Sequence, residues 1–146
     1  MAAPGHELMG ASLDTRAAAS ISVGEELPEV RIPVTTRLVV ATAIATRDFQ
    51  DVHHDKDAAI ERGSEHVFMN ILTTNGFVGR YVTDWAGPET LLKKVSIRLG
   101  VPNYSGDEMR MSGRVLAVEG HDVEIEVIGR NSMGDHVTGT VTVELP

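Results

Sequence analysis

Near residue 90 the apolar period of this chain changes from 3.6 to 2, and no other feature limits its fold as much. Upstream, residues 68–85 form the longest helical pattern, with Ile71, Leu72, Val78, Tyr81, Val82 and Trp85 on one face and Gly87 and Pro88 as its end. Downstream, Val95, Ile97, Leu99 and Val101 alternate with Lys94, Ser96, Arg98 and Gly100. The alternation recurs at Met109, Met111, Gly113 and Val115, at Val123, Ile125 and Val127, and at Val137, Gly139, Val141, Val143 and Leu145, between turn clusters at 102–107, 119–122 and 131–135. Four such strands predict an antiparallel meander with one apolar face. A single long helix ahead of them can bury its own apolar face only against that sheet. The expected class is α+β, a long central helix wrapped by an antiparallel sheet, with Gly76 and Gly79 allowing close contact between the two.

The chain has 146 residues, 42% of them apolar, which is material for one core. A formal charge of -8 with 13 scattered basic residues argues against a nucleic-acid partner. Lys93, Lys94 and Arg98 are the one local basic cluster, and on a strand such charges usually form its solvated side. The absence of cysteine excludes disulfides, thiolate catalysis and cysteine-ligated metal. The longest apolar run, 38–45, is far short of the ~20 residues that span a bilayer. Glu7 and Asp14 stand where a signal peptide would carry a basic start and an apolar block. A cytoplasmic protein without a membrane partner is expected. Residues 1–20, rich in Ala, Gly and Ser, read as a flexible arm ahead of a single domain at 21–146.

The chemistry gathers between the arm and the long helix. Residues 26–34 read as extended, interrupted by Pro28 and Pro33; 36–46 read as a short buried helix capped by Thr35 or Thr36, and 55–62 as a second helix stopped by Gly63. Asp48 leaves the end of the first helix and His53 follows five residues on, a spacing at which a carboxylate and an imidazole can grip one water. Adding water to an activated double bond needs a base and an acid. It also needs donors for the oxyanion that develops on a thioester carbonyl, and the free N–H groups where the long helix begins, near Asn70, suit that task. By spacing alone, a helix-ending aspartate and an unrelated loop histidine are the commoner meaning. Asp51, His53, His54 and Asp55 also carry metal-ligand chemistry, but adjacent histidines on extended backbone point to opposite sides, and no metal site is expected. His54 reads as solvent-facing or structural, and His121 and His136 as surface groups at strand edges or turns.

The segment Asp48, Phe49, Gln50, Asp51, Val52, His53, His54, Asp55 resembles the motif of the MaoC-like, R-specific enoyl-CoA hydratases, Asp-x-Asn-Pro-(aliphatic)-His-x-Asp. Gln50 stands where Asn is usual and Asp51 where Pro is usual. The family generally has His-Gly at the start of the long helix, where this chain has Met69-Asn70. Asn131, Ser132, Met133 and Gly134 are similar to a family turn, Asn-Gln-x-Gly. The blocks ATRDFQDVHHD, NILTTNGFVGRYVTDWAGP and GRNSMGDHVT are closer still to the small catalytic subunit of two-component steroid side-chain hydratases.

The resemblance covers roughly residues 23–145 and implies a hot-dog fold that hydrates a trans-2-enoyl-CoA, with a steroid side-chain acyl group. Asp48 and His53 would be the catalytic pair and the Asn70 N–H the oxyanion donor. Lys93, Lys94 and Arg98 would meet the coenzyme A phosphates, with no cofactor beyond the CoA of the substrate. It also implies a second hot-dog subunit with a zinc-ribbon and OB-type extension, in an α2β2 hetero-oligomer, and a thiolase-like aldolase as a further associate. Two other readings compete. A hot-dog acyl-CoA thioesterase would place a carboxylate on the long helix, and no acid stands between Phe68 and Thr83. A non-catalytic stabilising subunit would have lost Asp48 or His53.

Overall fold

The computed structural model of the protein describes residues 13–146. Strand β1 (Glu26–Pro33) leads into helix α1 (Thr36–Ala45), a 3-10 turn (Asp51–His53), helix α2 (Lys56–Glu61) and the long helix α3 (Ile71–Ala86). Strands β2 (Leu91–Leu99), β3 (Glu108–Glu119), β4 (Asp122–Asn131) and β5 (Gly134–Glu144) follow. All five strands form one antiparallel sheet in the order β1-β3-β4-β5-β2, and α3 packs on β1, β2 and β5. The helix-on-sheet expectation is met.

The simple meander is not. Only β3, β4 and β5 follow one another as hairpins, because β2 pairs with β5 and β1 adds a fifth strand beside β3. Alternation shows which strands have a buried face but carries no information on neighbours. Edge strand β1 tolerates Pro28 because its register shifts between Leu27 and Val30, and the freed Pro28 carbonyl accepts from the Tyr81 hydroxyl at 2.9 Å.

The core lies between α3 and the sheet, from Val78, Tyr81, Val82 and Trp85 on the helix to Met109, Met111, Ile125, Val141 and Val143 on the strands. Gly79 sits against Leu92, whose Cδ2 would lie 3.3 Å from an added Cβ. Gly76 faces open space and is no contact point, contrary to expectation. Ile71 and Leu72 also depart from the expected apolar face, being about half-exposed. The helix starts at Ile71 rather than Phe68: Asn70 caps it, and Phe68 is spent on a bridge to Tyr104. Helix α1 is less buried than its composition implies, with only Val39 and Ala43 inside, and Thr35 caps it by accepting from the Leu38 N–H.

Residues 1–12 of the expected arm lie outside the described residues. The part that follows is laid on the domain before residue 20. The Arg16 N–H donates to the Ala86 carbonyl, the Arg16 guanidinium stacks 4.6 Å from the Trp85 ring centre, and Ala18 is buried against the chain's end through the Pro146 carbonyl. No helix among the described residues is long and apolar enough to cross a membrane.

Candidate active site

Asp48 is placed by the way α1 stops. Arg47 takes the left-handed conformation, φ 57°, which bends the chain so that the Asp48 N–H reaches back to the Ala43 carbonyl at 2.9 Å and the Arg47 N–H to Ile44. This is a Schellman ending with arginine where glycine is usual. Arg47→Gly is expected to raise stability by about 0.5–1 kcal/mol, the ~1–2 kcal/mol left-handed penalty less the ~0.5–1 kcal/mol of chain entropy glycine loses. Urea unfolding of the variant checks this. A fall in stability would mean that the arginine side chain holds the turn.

His53 is placed by the 3-10 turn that follows. Asp55 caps α2 by accepting from the Asp57 and Ala58 N–H groups, and Asp51 pairs with Arg62 at 2.7 Å. These contacts brace the loop where the related motif has a proline. His54 turns inward to hydrogen-bond the Asp48 carbonyl at 2.7 Å, a structural role.

The two side chains meet. His53 Nε2 lies 3.4 Å from Asp48 Oδ2, with the imidazole buried and the carboxylate about one-fifth exposed. His53 Nδ1 lies 2.8 Å from the Phe68 carbonyl, which can only accept, so Nδ1 carries the proton and Nε2 of the neutral ring is left with a lone pair. The Phe68 ring meets the imidazole edge-on at 4.8 Å.

Asn70 joins them from the third side. Its Oδ1 caps α3 by accepting from the Thr73 N–H at 3.0 Å, while its Nδ2 donates to Asp48 Oδ2 at 3.0 Å and to Thr46 Oγ1 at 2.9 Å. The Asn70 amide is the main reason that the Asp48 carboxyl titrates below its ordinary value; the Gln50 N–H and the two histidines add to it against the cost of burial. Asp48 is thus ionised at neutral pH. The Asn70 backbone N–H, where the sequence placed an oxyanion donor, has no hydrogen-bond partner among the described residues.

These residues line an open cleft of about 370 Å³. One wall is Phe68 to Ile71 and the other is Leu99 to Pro102. Thus the structure brings Asp48, His53 and Asn70 together. It does not bring the basic cluster to them. Lys93 is held by Asp122 at 2.8 Å and by Glu144 at 3.4 Å, and none of Lys93, Lys94 and Arg98 lines the cleft. A register shift between Leu92 and Lys94 turns Lys93 out of the strand's alternation and toward those acids. Among the described residues, no three metal-ligating side chains gather at one point.

Sequence reasoning missed His136. It is a surface group by alternation, yet it is 2% exposed and lines the cleft. The reason is a β-bulge: Gly129 faces Val137 and Arg130 faces Asp135, so His136 is an extra residue in β5. A bulge re-aims the side chain it carries, and only the cross-strand register shows it. His136 Nδ1 donates to the Val101 carbonyl at 2.7 Å, and Nε2 lies 2.9 Å from Thr74 Oγ1.

No family model matches the chain. It is 52% identical over 123 residues to the 3-oxo-4,17-pregnadiene-20-carboxyl-CoA hydratase beta subunit of Mycobacterium tuberculosis, an alignment covering 84% of this chain and 95% of that protein. A chain of the crystal structure of the ChsH1-ChsH2 complex from Mycobacterium tuberculosis superposes with a TM-score of 0.84 at 51% identity, over 86% of this chain and 98% of that one. The R-hydratase PhaJ1 of Pseudomonas aeruginosa shares the fold with a TM-score of 0.82 at 20% identity, over 89% and 85% of the two chains. With a long helix on one antiparallel sheet, the aspartate-histidine motif and this extent of identity, the chain belongs to the MaoC-like hydratases of hot-dog fold, in the family of the pregnadiene-carboxyl-CoA hydratase beta subunit.

Proposed function

We propose that the chain is the catalytic subunit of an enoyl-CoA hydratase whose substrate carries a steroid side-chain acyl group. The observation that supports this most is the facing pair at 3.4 Å, the Asp48 carboxylate and His53 Nε2, the nitrogen that carries the lone pair when Nδ1–H is held by the Phe68 carbonyl. Two acceptors cannot hydrogen-bond each other, but one water can donate a proton to each. Its oxygen then points away from both, toward the cleft.

The reaction follows from that placement. As the water oxygen bonds to the β-carbon of the enoyl thioester, His53 Nε2 takes a proton and the Asp48 carboxylate steadies the imidazolium. The thioester carbonyl becomes an enolate, whose oxygen the Asn70 N–H and the first turn of α3 stabilise. The proton on His53 then passes to the α-carbon. One water is consumed and no electrons are exchanged, so the step calls on no cofactor besides the CoA already in the substrate. Lys94 and Arg98, on the strand that ends at the cleft wall, are the cations left to meet the CoA phosphates.

The partner is proposed to be a second, non-identical hot-dog subunit, since the relative is a beta subunit and the similar chain comes from a complex of two proteins. This chain has a reason to pair. Edge strand β2 leaves Leu91, Leu92 and Leu99 exposed, and Ile71 and Leu72 at the start of α3 are exposed as well. A copy of the same chain would set a second long helix against the open cleft, which leaves too little room for fused rings. A zinc-ribbon and OB-type extension on the partner, α2β2 stoichiometry, a thiolase-like aldolase as associate and a cytoplasmic location belong to the same reading.

Purification with and without the co-expressed partner, followed by hydration assays on steroid and straight-chain enoyl-CoAs, tests it. Loss of enoyl-thioester absorbance is expected with the steroid ester and only in the complex. A homodimer that hydrates crotonyl-CoA well and ignores the steroid ester would overturn the substrate and partner together.

A further inference from the structure

His136 is a buried histidine for which the reaction above has no use, and burying it is costly. An imidazole taken from water needs both nitrogens satisfied, and the bulge that aims it inward gives up regular pairing between β4 and β5. A valine in regular register would fill the space without either cost. The two bonds of the ring link the opposite walls of the cleft: Nδ1–H to the Val101 carbonyl on the strand-end wall, and Nε2 to the hydroxyl of Thr74 in the first turn of α3. Burial pushes the imidazole below its ordinary pKa, so the ring is neutral and Nε2 accepts from the Thr74 hydroxyl.

We propose that His136 is a positioning residue, a brace that holds the first turn of α3, and with it the Asn70 N–H, at working distance from the water between Asp48 and His53. The brace is one of two that flank Asn70. On the other side, the Met69 N–H donates to the Asn103 carbonyl at 3.0 Å; on this side, the Thr74 N–H returns to the Asn70 carbonyl at 3.2 Å while its hydroxyl is held by His136. The strand-end wall is itself tied to β5, by the Gly100 N–H to the His136 carbonyl at 2.8 Å and the Val101 N–H to the Asp135 carbonyl at 3.1 Å. Cutting the Thr74–His136 bond therefore frees the helix start rather than the strand.

The proposal rests on the hydratase reading, and the wild-type complex is assayed first so that the two fail separately. Thr74→Val keeps the shape and deletes only the hydroxyl. In the complex with its partner it is expected to lower kcat about 10- to 100-fold, the scale of a misplaced reacting group, with KM changed by less than about threefold. Thr74→Ser is expected to restore kcat, and His136→Phe combined with Thr74→Val to be no slower than His136→Phe alone. If His136→Phe does not fold, the Val and Ser variants at position 74 still decide. An active wild type with an unchanged kcat in Thr74→Val, or losses that add in the double variant, would overturn the brace alone. A wild-type complex inactive on every enoyl-CoA would overturn the hydratase reading, and the brace with it.

Discussion

Asp48→Asn and His53→Ala are each expected to lower kcat for enoyl-CoA hydration by about 10²- to 10⁴-fold, with the fold intact. Asn at 48 keeps the shape of the carboxylate but replaces one acceptor with an amide, so it cannot both hold the water and steady an imidazolium on His53. Ala at 53 removes the acceptor that takes the water's proton, and the Phe68 carbonyl is left to solvent. The two losses should not add, because a water gripped by one group is no better placed than a free one. Steady-state rates of both single variants and the double, with circular dichroism as the check on folding, measure this. Rates within tenfold of wild type in either single variant would end the catalytic assignment.

Asn70→Asp is expected to have the second-largest effect, and it separates the charge of Asp48 from the cap of α3. Aspartate caps a helix as well as asparagine, so the Thr73 N–H stays satisfied. What changes is that a second carboxylate now sits where an amide donated to Asp48 at 3.0 Å. The pair cannot both ionise at that distance, and one proton is held well above the ordinary carboxylate range. In the wild type the Asp48 pKa is lowered by folding, so its contribution to stability is present above the ordinary value of 3.8 and is lost as pH falls through the lowered one. In the variant the shared proton raises the folded-state value, so stability should fall as pH rises from about 4 through the raised pKa of the pair. Activity at neutral pH should drop about 10²-fold or more, because Asp48 no longer faces His53 as a free carboxylate. Unfolding followed across pH would show the inverted slope. A wild-type pH dependence in Asn70→Asp would mean that the amide does not hold the Asp48 charge.

The amide role of Asn70 shows where sequence reading stopped. The sequence puts Asn70 at the start of the long helix and assigns its backbone N–H as the oxyanion donor. Its side chain, which caps α3, ionises Asp48 and reaches Thr46 at once, depends on the ends of two helices meeting. The Asp48 and His53 pairing was legible because both lie within one turn-and-loop segment whose residues resemble a known motif; the five-residue spacing alone favoured an unrelated aspartate and histidine. The ion pairing of Lys93 was not legible, for the opposite reason. Its partners, Asp122 and Glu144, are far along the chain and come alongside only through strand pairing and a register shift.

The sequence by itself determined the class of fold, the positions of nearly all elements and the local motif of the site, since each depends on a period, a cap or a short spacing. Tertiary structure alone decided the strand order β1-β3-β4-β5-β2, which two strands form the sheet's edges, and the histidine that crosses the cleft. Alternation states which face of a strand is buried and is silent on which strand lies beside it. An extra residue at a bulge reverses that alternation without leaving any mark in composition. His136 passed for a surface residue because the register that turns it inward exists only between strands.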